Sequence, residues 1–195
     1  CQQDPARLHG FVIIAEEQSG GQGRLGRVWA SPPGGIWTTT ILAPKIPIAR
    51  VFMVTMAAAI AVARGIRKDL DLGALIKWPN DVLARDRKLA GILTEMASDP
   101  DAVQWVVVGI GVNVNAGPED FPPELRDGAT SLAIERGRAV PRALFAAALL
   151  SALMALESLP VSRNVPLIAA YESAGARALD AAARMLSDEL AAELR

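Results

Sequence analysis

Two short stretches concentrate side chains able to do chemistry on anions. In EEQSGGQGRLGRVWASPPGG, residues 16–35, Gly20, Gly21, Gly23 and Gly26 are interleaved with Gln22, Arg24 and Arg27. Glycines let backbone N–H groups approach a ligand closely, and arginine gives phosphate or carboxylate a permanently charged, bidentate donor. Gly21-Gln22-Gly23-Arg24-Leu25-Gly26 also matches the GxGxxG pattern of a dinucleotide loop. That pattern requires the glycines to open a helix whose N-terminus receives the pyrophosphate. Here Trp29, Pro32, Pro33, Gly34 and Gly35 leave no room for one. The phosphate loop ending in Gly-Lys-Ser/Thr fails as well, because no such ending follows. The second stretch runs from IKWPNDVL (76–83) into DRKLAGILTE (86–95), and it brings Lys77, Asn80, Asp81 and Lys88 around a proline turn and a hairpin.

These groups need elements to hold them. FVIIAEE (11–17) reads as a buried strand, IWTTTILAP (36–44) as a second strand and ALIKW (74–78) as a third that Pro79 ends. Residues 81–96 read as a hairpin about Arg85-Asp86-Arg87, and WVVVGIGVNVN (105–115) as another strand. Apolar residues at helical spacing predict a helix over 50–70, with Arg64, Arg67 and Lys68 where cations suit the dipole. A second long helix is expected over 140–158 with Pro141 in its first turn, and residues 165–195 are expected to be mostly helical. The order gives an α+β fold, a mixed and hairpin-rich β-sheet flanked by helices, not regular βαβ alternation.

Composition narrows the chemistry further. Twenty Lys and Arg against 21 Asp and Glu give a net charge of −1, so an anion site must be local. Cys1 and His9 are the only residues of their kinds, which supplies poorly a cysteine cluster, a zinc site or a Ser-His-Asp centre. A reducing, cytoplasmic setting is expected. The apolar runs at 53–63 and 145–156 are too short to cross a bilayer and read as buried helices, so no membrane partner is expected. The chain opens on Cys1 without an initiator Met, as a trimmed chain would.

EQSGGQGRLGRVW, KWPNDVL, RKLAGIL, GIGVNVN and GATSL follow one another in the order and spacing of biotin–protein ligases, which the chain resembles over about residues 10–160. The resemblance implies ATP-dependent activation of biotin to biotinyl-5′-AMP. Transfer then follows to a lysine of the biotin carboxyl carrier domain of a biotin-dependent carboxylase. Mg²⁺ would assist where two anions meet, and no metal ligands are assigned. Gln18, Gln22, Gly23, Arg24, Lys88 and Gly91 are implied on the biotin side, Gly91 leaving space for the bicyclic ring. Arg24, Arg27, Trp29, Asn80 and Asn113 are implied on the nucleotide side. Arg24 and Lys88 would hold the biotin carboxylate and the α-phosphate. Asp81, the third catalytic candidate, would orient Lys88 or Arg24 or help deprotonate the acceptor lysine. The loop at 20–29 would close over the adenylate.

Three departures accompany the resemblance. Gln22 stands where the family loop usually has arginine. A Ser-Thr-Asn motif expected ahead of residue 10 has no counterpart in CQQDPARLHG. Residues 161–195 read as a helical segment with no evident SH3-like barrel, leaving 1–160 as a catalytic domain incomplete at its N-terminal end. No DNA-binding role is expected, and a sheet edge could pair with the carrier or a second copy to form a homodimer. A lipoate or octanoyl transferase, or a non-catalytic ligand-binding remnant, are the competing readings.

Overall fold

The computed structural model describes residues 5–150 apart from 101, 144 and 148. Among them, six strands form one sheet: β1 (Phe11–Ala15), β2 (Ile36–Leu42), β3 (Leu75–Lys77), β4 (Asp81–Ala84), β5 (Arg87–Ser98) and β6 (Val103–Val112). The order across the sheet is β1-β2-β6-β5-β4-β3, and all five pairings are antiparallel. Among the described residues the single parallel contact is an isolated bridge between Lys88 and Ala129. Helix α1 (Phe52–Leu70) lies between β2 and β3 in the chain, and the short α2 (Leu132–Arg136) follows β6. The expected α+β architecture is therefore present. Within 140–158, residues 140 and 141 are not helical and 142, 143, 145–147, 149 and 150 are; 144, 148 and 151–158, with 165–195, lie outside the described residues.

Alternation along β6 divides the sheet into two faces. Val106, Val108, Ile110 and Val112 are buried beneath α1, while Val107, Gly109 and Gly111 face the other way. Helix α1 supplies Met56, Ile60, Val62 and Ile66, and the run Ala58–Ala63 is buried all round. Phe145 packs beside α1 at Gly65, where an added Cβ would lie 3.7 Å from its ring. With its preceding turn, Ile48–Leu70 is long and apolar enough to cross a membrane by length and composition, yet half of that stretch is buried inside the fold. It is the core helix. At its C-terminal end Arg67 donates through Nε to the carbonyl of Ala74 at 2.8 Å, tying the helix to the entry of β3.

The hairpin of β4 and β5 turns on Arg85 and Asp86, with φ of 46° and 65°. Two successive positive φ values suit the twist of flanking strands in a two-residue hairpin turn. Arg87 is the first residue of β5.

One expectation is corrected. FVIIA does form a strand, but it is not buried: Phe11, Ile13 and Ile14 are 55%, 51% and 58% exposed. An unbroken apolar run signals burial on both faces only for an inner strand. Among the described residues β1 ends the sheet, beyond the cover of α1.

Candidate active site

The glycine–arginine segment folds back on itself over the open face of the sheet. Gln18 N–H donates to the Ser31 carbonyl at 3.1 Å, and Ser31 Oγ donates to Gln18 Oε1 at 2.7 Å. Further out, Trp29 N–H donates to Gly21 at 2.9 Å, and Gly23 N–H to Arg27 at 2.7 Å. Two glycines have specific reasons to be there. A Cβ on Gly21 would meet the Trp29 carbonyl at 2.4 Å, and Gly26 sits at φ +70° just after Leu25 at φ 60°. In this conformation the Gly23 N–H is committed inside the loop, so it is not offered to a ligand.

The loop lowers Trp29 onto a gap in the sheet. Gly91 of β5 and Gly111 of β6 are directly opposed, and a Cβ on either would strike the indole at 2.8 and 2.7 Å respectively. The space over Gly91, expected to receive the biotin ring, is thus filled by Trp29. The indole meets Trp37 edge-on at 6.4 Å, and its Nε1 has no hydrogen-bond partner.

A β-bulge brings Lys88 to the same face. Asp81 opposes Gly91 and Val82 opposes Ala90, but Leu83 opposes Lys88, leaving Leu89 as the extra residue. Leu89 and Ala90 both enter the core. One inserted residue reverses the alternation beyond it, so Lys88 shares the face of Gly91 despite odd spacing. Its Nζ lies 2.7 Å from Asp81 Oδ1 and 4.9 Å from the centroid of Trp29. Arg24 reaches across from the loop tip, donating through Nη1 to Asn80 Oδ1 at 3.3 Å. Asn80 is oriented for this by its own Nδ2, which donates to the Ile92 carbonyl at 2.8 Å.

These parts enclose a cavity of about 750 Å³. Its lining contains Gln18, Gln22, Gly23, Arg24, Arg27, Trp29, Asn80, Asp81, Lys88, Gly91 and Asn113, so every candidate from the sequence is brought to one place. Asn113 is the least available of them, because it is buried and its Nδ2 already donates to the Thr130 carbonyl at 3.0 Å. Arg24, Arg27, Lys77 and Lys88 face three lining carboxylates, Asp81, Glu95 and Glu124. A locally positive cavity on a chain of net charge −1 can gather an anionic ligand. Among the described residues no three or more His, Cys, Asp or Glu are grouped to hold a metal ion.

Residues 6–113 match the model of the biotin/lipoate A/B protein ligase family. The chain belongs to that family. It is 46% identical over 135 residues to the bifunctional ligase/repressor BirA of Bacillus subtilis, covering 69% of this chain and 42% of that protein. It is 38% identical over 141 residues to the biotin–[acetyl-CoA-carboxylase] ligase of Mycobacterium tuberculosis, covering 70% and 49% respectively. The chain therefore spans about half or less of the length of these relatives. Its fold is similar to that of the Aquifex aeolicus biotin protein ligase solved with biotin and ATP, with a TM-score of 0.67 and 27% identity over 79% of this chain and 66% of that one.

Other residues of this ligase-family site were not singled out from sequence. Gly111 is one, although glycine inside a strand run, here with Gly109 on the same face, is a sign of close approach from above. The segment Leu125–Ala129 is another: it lines the cavity with Leu125, Gly128 and Ala129, beside Lys88. Glu95 carries no sequence signal, because its place follows only from strand register.

Proposed function

We propose that this chain carries the activating site of a biotin–protein ligase: it joins biotin to the α-phosphate of ATP as biotinyl-5′-AMP, releasing pyrophosphate. Biotin then passes to a lysine amine of a biotin carboxyl carrier domain. The convergence of Arg24, Lys88 and Asp81 from three separate segments on one cavity carries this reading. A carboxylate attacks a polyphosphate only where positive charge offsets their repulsion and water is held away. Lys88 is the cation at the reacting carboxylate, and Arg24 the cation that the loop brings over the intermediate. Asp81 holds the Lys88 ammonium in place, the first of its expected roles.

Gln18, Gln22, Gly23 and Gly91 belong to the biotin side, and Arg27, Trp29, Asn80 and Asn113 to the nucleotide side. Trp29 must leave the Gly91–Gly111 gap for a ring to lie there, and its unpartnered Nε1 then becomes a free donor. Mg²⁺ enters as part of the nucleotide substrate, held mainly by phosphate oxygens and water, as Mg²⁺ commonly is. The carrier domain, or a second copy, would meet the sheet at β1, whose outer edge carries exposed Phe11, Ile13 and Ile14. Repression, the second activity in the Bacillus relative's name, does not enter this reading, which is of a cytoplasmic enzyme.

Biotin-dependent exchange of labelled pyrophosphate into ATP tests the first step without any acceptor. Exchange is expected with biotin and Mg²⁺, and none with lipoate or without acid. Exchange driven by lipoate alone would move the chain to the lipoate branch of its family.

A further inference from the structure

The segment that walls one side of the cavity is held by a carboxylate that does not line it. Lys88 N–H donates to the Gly128 carbonyl at 2.7 Å, and Thr130 N–H donates to the Lys88 carbonyl at 2.9 Å. Both backbone polar groups of Lys88 are thus engaged by residues 128–130. Thr130 carries the connection onward, its Oγ1 donating to Glu135 Oε1 at 2.6 Å. The same oxygen accepts from Arg87 Nη2 at 2.6 Å, and Oε2 faces Arg85 Nε at 3.4 Å. The Glu135 side chain is 0% exposed. A carboxylate so far from water persists only where donors and opposite charge compensate for its lost hydration. Here they come from both flanks of Lys88: Arg87 precedes it in β5, and Thr130, next to its bridge partner Ala129, donates to its carbonyl.

We infer that Glu135 is a positioning residue for Lys88, acting through Thr130 and Arg87 to fix the backbone from which the lysine reaches the cavity. Neither Glu135 nor Thr130 lines the cavity, so neither touches substrate. The need is physical. A long lysine stem sits beside a bulge, and the pairing of β5 with β6 stops at Ala90 opposite Val112, so on that side no ladder bond holds Lys88. A shift of the reacting group by about 1 Å can cost on the order of a hundredfold in rate. The clamp replaces the missing ladder bonds. Its consequence for rate rests on Lys88 acting at the reacting carboxylate, as proposed above.

Thr130→Val removes the hydroxyl donor with little change of shape, and Thr130→Ser retains it. Glu135→Gln keeps an acceptor but removes the charge facing Arg85 and Arg87. In the full chain, biotin-dependent pyrophosphate exchange is measured as kcat and KM beside the thermal midpoint. Thr130→Val is expected to lower kcat about tenfold, with KM for biotin and ATP within about twofold, and Thr130→Ser to restore it. Glu135→Gln is expected to act in the same direction. Equal kcat for the Val and Ser variants, with only the midpoint lowered, overturns the proposal. If the wild-type chain shows no exchange, the adenylation reading fails, and the clamp is judged from acylation of Lys88 by an amine-directed reagent, followed by peptide mass. A rate changed severalfold in Thr130→Val and restored in Thr130→Ser supports the clamp; unchanged rates in both variants sink it.

Discussion

Lys88 is placed by three separate features: the bulge turns it outward, Asp81 takes its ammonium, and the Trp29 ring lies beneath that charge. Its side chain is 35% exposed and that of Asp81 23%, so this pair contributes little to stability, under about 1 kcal/mol. Under the proposed function its contribution belongs to the reaction instead. Lys88→Ala is expected to lower the kcat of pyrophosphate exchange by about 10²–10³, the range for losing one preorganised group at developing charge. The thermal midpoint should stay within about 3 °C of wild type. A variant that exchanges as fast as wild type would remove Lys88 from the reaction. At this scale the residue types were legible, since Arg24, Asn80, Asp81 and Lys88 stand out as polar groups among strands. Their partners were not. That Asn80 orients Arg24 depends on a bond to Ile92 that no local pattern encodes.

The loop of residues 18–31 and the β4–β5 hairpin bring Arg24, Arg27, Asp81 and Lys88 to the cavity. The hairpin was readable because its polar pair interrupts two apolar arms, and the positive φ of Arg85 and Asp86 shows the turn it makes. The loop was readable as a loop, but not as a two-rung ladder closed by Gln18 and Ser31. Arg24 and Arg27 both lie exposed on it. Trypsin is therefore expected to cut the chain after one or both, and biotin with ATP to slow that cut severalfold, because an ordered, covered loop presents less open backbone. Equal cutting with and without ligands would show that the loop does not close. β1 shows where an element-level signal misleads: Phe11–Ala15 has the composition of a buried strand and the position of an edge.

Across the whole molecule, one face of the sheet is given to the core and the other to the site. The core face depends on α1, and Ile60, 0% exposed, lies at its middle. Ile60→Ala is expected to lower unfolding stability by about 2–5 kcal/mol in urea titration, while KM for biotin stays at its wild-type value well below the midpoint. A shift in KM of more than about threefold would mean that the two faces are coupled through the sheet.

The sequence by itself determined the six strands, α1, the class of fold and the family. Those rest on local spacing: period two for strands, 3.6 for α1, and motifs whose residues are neighbours in the chain. The candidate residues it marked all line the cavity, but Gly111, Glu95, Leu125, Gly128 and Ala129 line it too without having been marked. Only the tertiary structure decided which face Lys88 occupies, that Trp29 fills the gap over Gly91 and Gly111, and that Glu135 holds the segment beside the lysine. Each of these follows from register between strands or from contact between distant segments. A single inserted residue, Leu89, reverses the alternation, and nothing in RKLAGIL marks which of its residues is the extra one.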